Sequence, residues 1–89
     1  MLRITPITDQ DSTVTLKLEG AIVAGWVETL RTEYQRWTDR DKAIILDFAD
    51  VTYIDAAGVT ITRELLAGNA IVTRCSDLIL GMLHPDRPL

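Results

Sequence analysis

Polar and apolar positions alternate with period two near the start of the chain. In Thr13–Gly20, Val14, Leu16 and Leu18 fall on one side and Thr13, Thr15, Lys17 and Glu19 on the other. This is the pattern of a half-buried strand. Leu2–Ile7 alternates more loosely and contains Pro6, which cannot donate to a ladder, so it is predicted as an edge strand. The turn-rich Asp9–Ser12 between them predicts a hairpin. Gly20–Gly25 is expected to be a flexible approach to the next element. The period then changes to 3.6. In Trp26–Trp37, Trp26, Val27, Leu30, Tyr34 and Trp37 form one stripe, with Glu28, Arg31, Glu33 and Arg36 elsewhere, which predicts an amphipathic helix. Ala43–Phe48 is a nearly unbroken apolar run, the kind expected of a central strand covered on both faces. A second helix is predicted over Ala56–Ala67, stopped by Gly68-Asn69. A short strand at Ala70–Cys75 and a helix at Asp77–Leu83, capped by Ser76, complete the pattern.

The order β-β-α-β-α-β-α predicts an α/β fold. We expect a four-stranded, mostly parallel mixed sheet with an N-terminal hairpin and about three helices. At 89 residues, one domain over 1–89 is expected, with 83–89 as a flexible tail after the last helix. No repeat or linker interrupts it.

Composition narrows the function. Thirteen acidic residues outnumber nine basic ones, giving a net charge of -4, and no Lys/Arg cluster is present. Nucleic acid and anionic lipid are therefore not expected partners. No apolar run reaches about 18 residues, so no membrane insertion is expected, and the N-terminus lacks the apolar core of a signal peptide. We expect a cytoplasmic protein. The single cysteine permits no intrachain disulfide. One histidine, His84, supports no Ser/His/Asp triad and no His-rich metal site. We expect no enzyme activity, no cofactor and no metal.

The candidate chemistry gathers at "YIDAAGVT", Tyr53–Thr60. Asp55 stands where a helix N-cap belongs, with Ile54 and Val59 at the positions of a hydrophobic staple. Gly58, in the first turn, permits close approach of another chain segment. The positive end of a helix also favours anions, so a small anion or nucleotide is an alternative ligand here. Asp47, Asp50 and Asp55 are an alternative oxygen-ligand set for Mg²⁺. Cys75, between Arg74 and the capping Ser76, reads either as a small buried hydrophobe or as a reactive thiol. Trp26, Tyr34 and Trp37 read as core, or as a contact surface where a ring is exposed.

The stretch "AIILDFADVTYIDAAGVTITREL" resembles the core signature of the STAS domain, the family of sulfate transporters and anti-sigma-factor antagonists. That pattern is an apolar strand ending in Asp, a short turn, an apolar-aromatic pair, then Asp-Ser-Ser-Gly or Asp-Ser-Thr-Gly opening a helix. The match falls on Leu46, Asp47, Val51, Tyr53, Ile54, Asp55 and Gly58, and the element order agrees over Leu2–Leu83. The resemblance implies a protein-binding regulatory module whose partner is an anti-sigma factor that is also a serine kinase. It implies a partner-binding helix start at Asp55, Ala56, Ala57 and Gly58. In the family the kinase phosphorylates the second hydroxyl residue of the tetrad, and Ala57 stands there, preceded by Ala56. Neither accepts phosphate, so the usual switch is not expected. Thr60 is the alternative phosphosite. Many family members continue with a further strand and helix after the element matching Asp77–Leu83. A homodimer is one expected assembly. The alternative role is a structural accessory subunit of a membrane-transport complex.

Overall fold

The computed structural model describes residues 1–10 and 12–84. β1 (Leu2–Gln10) pairs antiparallel with β2 (Thr13–Ile22), which pairs in parallel with β3 (Ala43–Ile54), itself parallel to β4 (Ala70–Thr73). The strand order is β1-β2-β3-β4, the expected mixed sheet. α1 (Val27–Thr38) links β2 to β3, α2 (Ala56–Ala67) links β3 to β4, and α3 (Asp77–Leu83) follows β4. No helix among the described residues is long and apolar enough to cross a membrane.

The alternation read from the sequence sets the layers. Leu2, Val14, Leu16, Leu18, Ile22, Ile44, Leu46 and Phe48 are buried together with Leu30 of α1, Ile61 and Leu65 of α2, and Ile79 and Leu83 of α3. Val27, Tyr34 and Trp37 of α1 pack partly buried against this core, as does Trp26, so the aromatic stripe is largely core. Ser76 caps α3, its hydroxyl accepting the Ile79 N–H at 3.2 Å.

Several expectations are corrected. The run Ala43–Phe48 is covered on one face only: Ile45 is half-buried and Ala43 exposed on the other. There the register places Ile7, Thr15, Ile45 and Ile71 in one row across all four strands. A hydrophobic run is ambiguous between one and two covers, and here β-branched residues fill an open face. Gly20–Gly25 is not a loose approach. Gly20–Ile22 continue β2, and Ala24–Trp26 form a 3-10 turn before α1 begins at Val27. Gly20 takes φ +102 beside a register shift, a backbone conformation that glycine supplies without steric cost. β3 runs on through Val51–Ile54, its polar residues absorbed by the same irregularities. The hairpin turn is tighter than Asp9–Ser12, since Gln10 pairs with Thr13; Asp11 lies outside the described residues. β4 stops at Thr73, because Arg74 turns into the left-handed region at φ 54. Leu83, placed in the expected flexible tail, instead closes α3 and is 1% exposed. The rest of that expected tail beyond His84 lies outside the described residues.

Candidate functional site

β2 and β3 end side by side, with Gly20 opposite Val51, Ala21 opposite Tyr53, and Ile22 opposite Ile54. The chain leaves β3 through Asp55, which is extended (φ -99, ψ -177), and α2 starts at the next residue. Asp55 Oδ1 accepts the Gly58 N–H at 2.7 Å, the helix cap expected from the sequence. Its Oδ2 accepts the Ala24 N–H at 3.1 Å, from the 3-10 turn 31 residues away. Its own N–H donates to the Ile22 carbonyl at 3.2 Å. One carboxylate therefore ties the start of α2 to the exit of β2. Sequence reasoning found the cap but missed the tie to Ala24, a long-range contact with no local signal.

Gly58 is buried against the same strand end. A Cβ there would lie 2.0 Å from the Ile22 carbonyl oxygen and 2.8 Å from Ile54 Cγ1. Glycine is thus required by close approach, not by an unusual φ. The outer residues of the tetrad are structural: Asp55 joins two segments and Gly58 lets them meet. The two middle residues are less enclosed, Ala56 exposed and Ala57 half-buried. Thr60 is exposed one turn on from Ala56, and its hydroxyl donates to the Ala56 carbonyl at 3.0 Å. Tyr53, just before the tetrad, is 59% exposed. Ala24 and Gly25 of the adjoining turn are also exposed. The helix start thus presents a small, weakly polar surface with one aromatic ring beside it.

The three aspartates do not form a shared site. Asp47 is 4% exposed and accepts a two-pronged contact from Arg74, with Arg74 Nε 3.1 Å from Asp47 Oδ1; the same oxygen accepts the Ala49 N–H at 3.0 Å. The Arg74 hydrogen bonds, then the Ala49 N–H and the charges of Arg74 and Lys17, outweigh burial and hold the Asp47 carboxyl below the usual range. Asp50 pairs with Lys17 at 3.5 Å, and Asp55 is bound to backbone. Among the described residues no three His, Cys, Asp or Glu side chains gather to hold a metal ion. Arg74 was read from the sequence only as a neighbour of Cys75. An acid closing an apolar run does demand a partner, but nothing in the sequence selects Arg74, 27 residues on. Burial first, and then the Asp77 charge, push the Cys75 thiol up, opposite to what a reactive thiolate needs. His84 is exposed just beyond α3.

The family model described as the STAS domain matches residues 5–67. The anti-sigma factor antagonist SpoIIAA in its unphosphorylated form superposes with a TM-score of 0.70 at 22% identity, over 92% of this chain and 82% of that one. The Bacillus cell fate determinant SpoIIAA in the phosphorylated form gives 0.70 at 22% identity, over 94% and 83%. An uncharacterized Shewanella loihica protein with a SpoIIAA-like fold gives 0.61 at 12% identity, over 88% and 70%. No curated protein matches the chain. At these identities the structural likeness carries the fold.

Proposed function

The chain belongs to the STAS domain family, and from that premise we propose that it is a non-enzymatic protein-binding module that docks through the start of α2 without a phosphate switch at Ala57. The observation that carries this reading is the division of labour in the tetrad. Asp55 and Gly58 build the corner, while the two less enclosed positions between them carry methyl groups. SpoIIAA is found in phosphorylated and unphosphorylated forms. Where that family carries its hydroxyl, this chain offers Ala56 and Ala57, so the docking surface stays in one charge state. The partner of best fit is an anti-sigma factor or serine kinase that reads the unphosphorylated helix start. Asp55 supports this over the anion or nucleotide reading, because its own carboxylate already occupies the positive end of α2.

The test begins with a pull-down from the source cell, followed by titration of the captured protein against Ala56→Arg and Tyr53→Ala. Both side chains leave the cap untouched, so the fold stays intact while binding drops at least tenfold. Unchanged affinity in both variants would refute the assigned face. Incubation with a kinase-type anti-sigma factor and ATP should leave the mass unchanged; phosphate on Thr60 would replace the unswitched reading with a relocated switch. Capture of a membrane-transport ATPase would favour the accessory-subunit role instead.

A further inference from the structure

β3 gains two residues on β2 before it reaches the helix start it feeds. Lys17 pairs with Asp47 and Glu19 with Asp50, so one extra residue of β3 is taken up opposite Leu18. Gly20 pairs with Val51 and Ala21 with Tyr53, which takes up another. Such bulges bend a strand and re-aim the side chains beyond them. Each also swaps the faces of everything that follows. The inward residues record this: Ile44, Leu46 and Phe48 alternate, whereas Val51 and Ile54 then follow three residues apart. With either bulge absent, Ile54 would turn outward and Tyr53 inward. As built, Ile54 is buried and Tyr53 exposed. The first bulge has a holder of its own. Its Ala49 N–H donates to Asp47 Oδ1 at 3.0 Å. Arg74 fixes that carboxylate, with Nε donating to Oδ1 at 3.1 Å and Nη2 donating to Oδ2. A fork of this kind sets orientation as well as distance. Arg74 makes the contact from a left-handed backbone (φ 54), a conformation that a non-glycine residue keeps only where surrounding contacts determine it. Lys17, whose charge also acts on Asp47, is itself paired with Asp50.

We propose that Asp47 and Arg74 are positioning residues for the docking corner: their ion pair holds the first β3 bulge and so sets the aim of Tyr53 and Asp55. This rests on the reading of the α2 start as the docking surface. Neither residue belongs to the tetrad or to the 3-10 turn beside it. The effect runs along β3. Arg74 forks onto Asp47, Asp47 holds Ala49, and the strand beyond the bulge carries Tyr53 to the outer face and delivers Asp55 to Ala24 and Gly58. The second bulge is supported separately, by Gly20 at φ +102 on β2, so it does not depend on Arg74. The corner is sensitive to aim. The Asp55 bond to the Ala24 N–H is 3.1 Å long, near the upper end of about 3.2 Å for a normal N–H···O bond, so a small turn of β3 weakens it. The pair is also reachable: the Asp47 side chain is enclosed, but that of Arg74 is largely in solvent.

Amide hydrogen exchange of the full chain, resolved by NMR, tests this without a partner. Its failure therefore leaves the docking surface standing, and a failed docking test leaves the positioning role standing. Arg74→Gln removes the fork and the charge. The Ala49, Ala24 and Gly58 N–H groups should then exchange about fivefold faster or more, although Ala24 and Gly58 lie at the far end of β3 from the substitution. The Asn69 N–H is the internal control. It donates to the Tyr34 hydroxyl at 2.8 Å, at the other end of α2, and should keep its rate. Asp47→Asn combined with Arg74→Gln should speed Ala24 and Gly58 no more than Arg74→Gln alone, because the pair acts as a unit. Faster exchange at Ala49 with Ala24 and Gly58 unchanged would overturn the proposal, since the bulge would then act only on itself. So would unchanged exchange at Ala49, equal acceleration at Asn69, which marks a general loss of stability, or additive effects in the double variant. Should the double variant fail to fold by circular dichroism, Arg74→Gln decides alone, since its side chain is already largely in solvent.

Discussion

Gly58→Ala isolates the reason for the tetrad's glycine. On an exposed helix this change stabilises by about 1 kcal/mol, because alanine restricts the unfolded chain and favours the helix. Here the added methyl would sit 2.0 Å from the Ile22 carbonyl oxygen and 2.9 Å from its carbon, both backbone atoms that cannot rotate away. The start of α2 must retreat from β2, and the retreat stretches the same contacts that hold the corner: Asp55 to Ala24 and Asp55 to Ile22. Overpacking costs about 1–3 kcal/mol. Loss of one capping bond adds about 1 kcal/mol, which roughly offsets the propensity gain. The net loss is about 1–3 kcal/mol, or a fall in Tm of roughly 5–20 °C for a domain of this size. Thermal and urea unfolding followed by circular dichroism measure it. Gly81→Ala is the control: a Cβ there meets nothing within 4 Å, so α3 should gain a few tenths to about 1 kcal/mol. A Gly58→Ala protein as stable as the wild type would refute the close-approach argument, since propensity alone would then govern the site.

Further outcomes follow from the same contacts. Asp55→Ala removes acceptors for two backbone N–H groups and should cost about 1–3 kcal/mol in urea unfolding, with Asp55→Asn, which keeps one acceptor oxygen, falling between. Asp47 has a depressed folded-state pKa, so its contribution is fully present above the unfolded value of about 3.9 and is lost as pH falls through the folded value. The urea midpoint should therefore drop below about pH 4, and Asp47→Asn should be less stable at pH 7 with a flatter acid limb. Ala57→Ser restores a hydroxyl at the family's position; with a kinase-type anti-sigma factor and ATP it should gain a single phosphate by mass spectrometry where the wild type gains none. Cys75, with its thiol pushed up, should react with iodoacetamide at pH 7.5 more slowly than a free cysteine peptide.

How much was legible in the sequence depended on the range of the determinant. Val14, Leu16 and Leu18 alternate because one face of β2 is buried, and that period is visible in three residues. Asp55 and Gly58 announce a cap because the bond between them spans a single turn. Ile45 and Ile71 carried no sign that their face is open, since an apolar residue looks alike in the core and on an uncovered sheet. The polar residues Asp50 and Thr52 hid the second half of β3, where register shifts let the strand run on outside strict alternation. Arg74, the partner of Asp47, lies on the turn after the neighbouring strand, and only the parallel pairing of β3 with β4 brings it near.

The same distinction bears on what the tetrad can lose. Asp55 acts on Ala24 and Gly58, and Gly58 acts on Ile22, so each is tied to backbone elsewhere in the fold and cannot change without moving it. Ala56 is exposed and Ala57 half-buried, and neither side chain makes any of those bonds, so a change at either leaves the bonds of the corner in place. A hydroxyl at either position adds chemistry to a scaffold that does not need it for stability. On the proposed function, an alanine there takes away a charge-dependent release step and leaves the corner's shape as it is. Exchange of Ala57 for Ser should accordingly shift Tm by less than the Gly58→Ala change by a wide margin, since a half-buried side chain that makes none of the cap's bonds stays within about 0.5 kcal/mol. A large loss of stability in Ala57→Ser would mean that the corner itself depends on the methyl group, and the separation of scaffold from switch would fail with it.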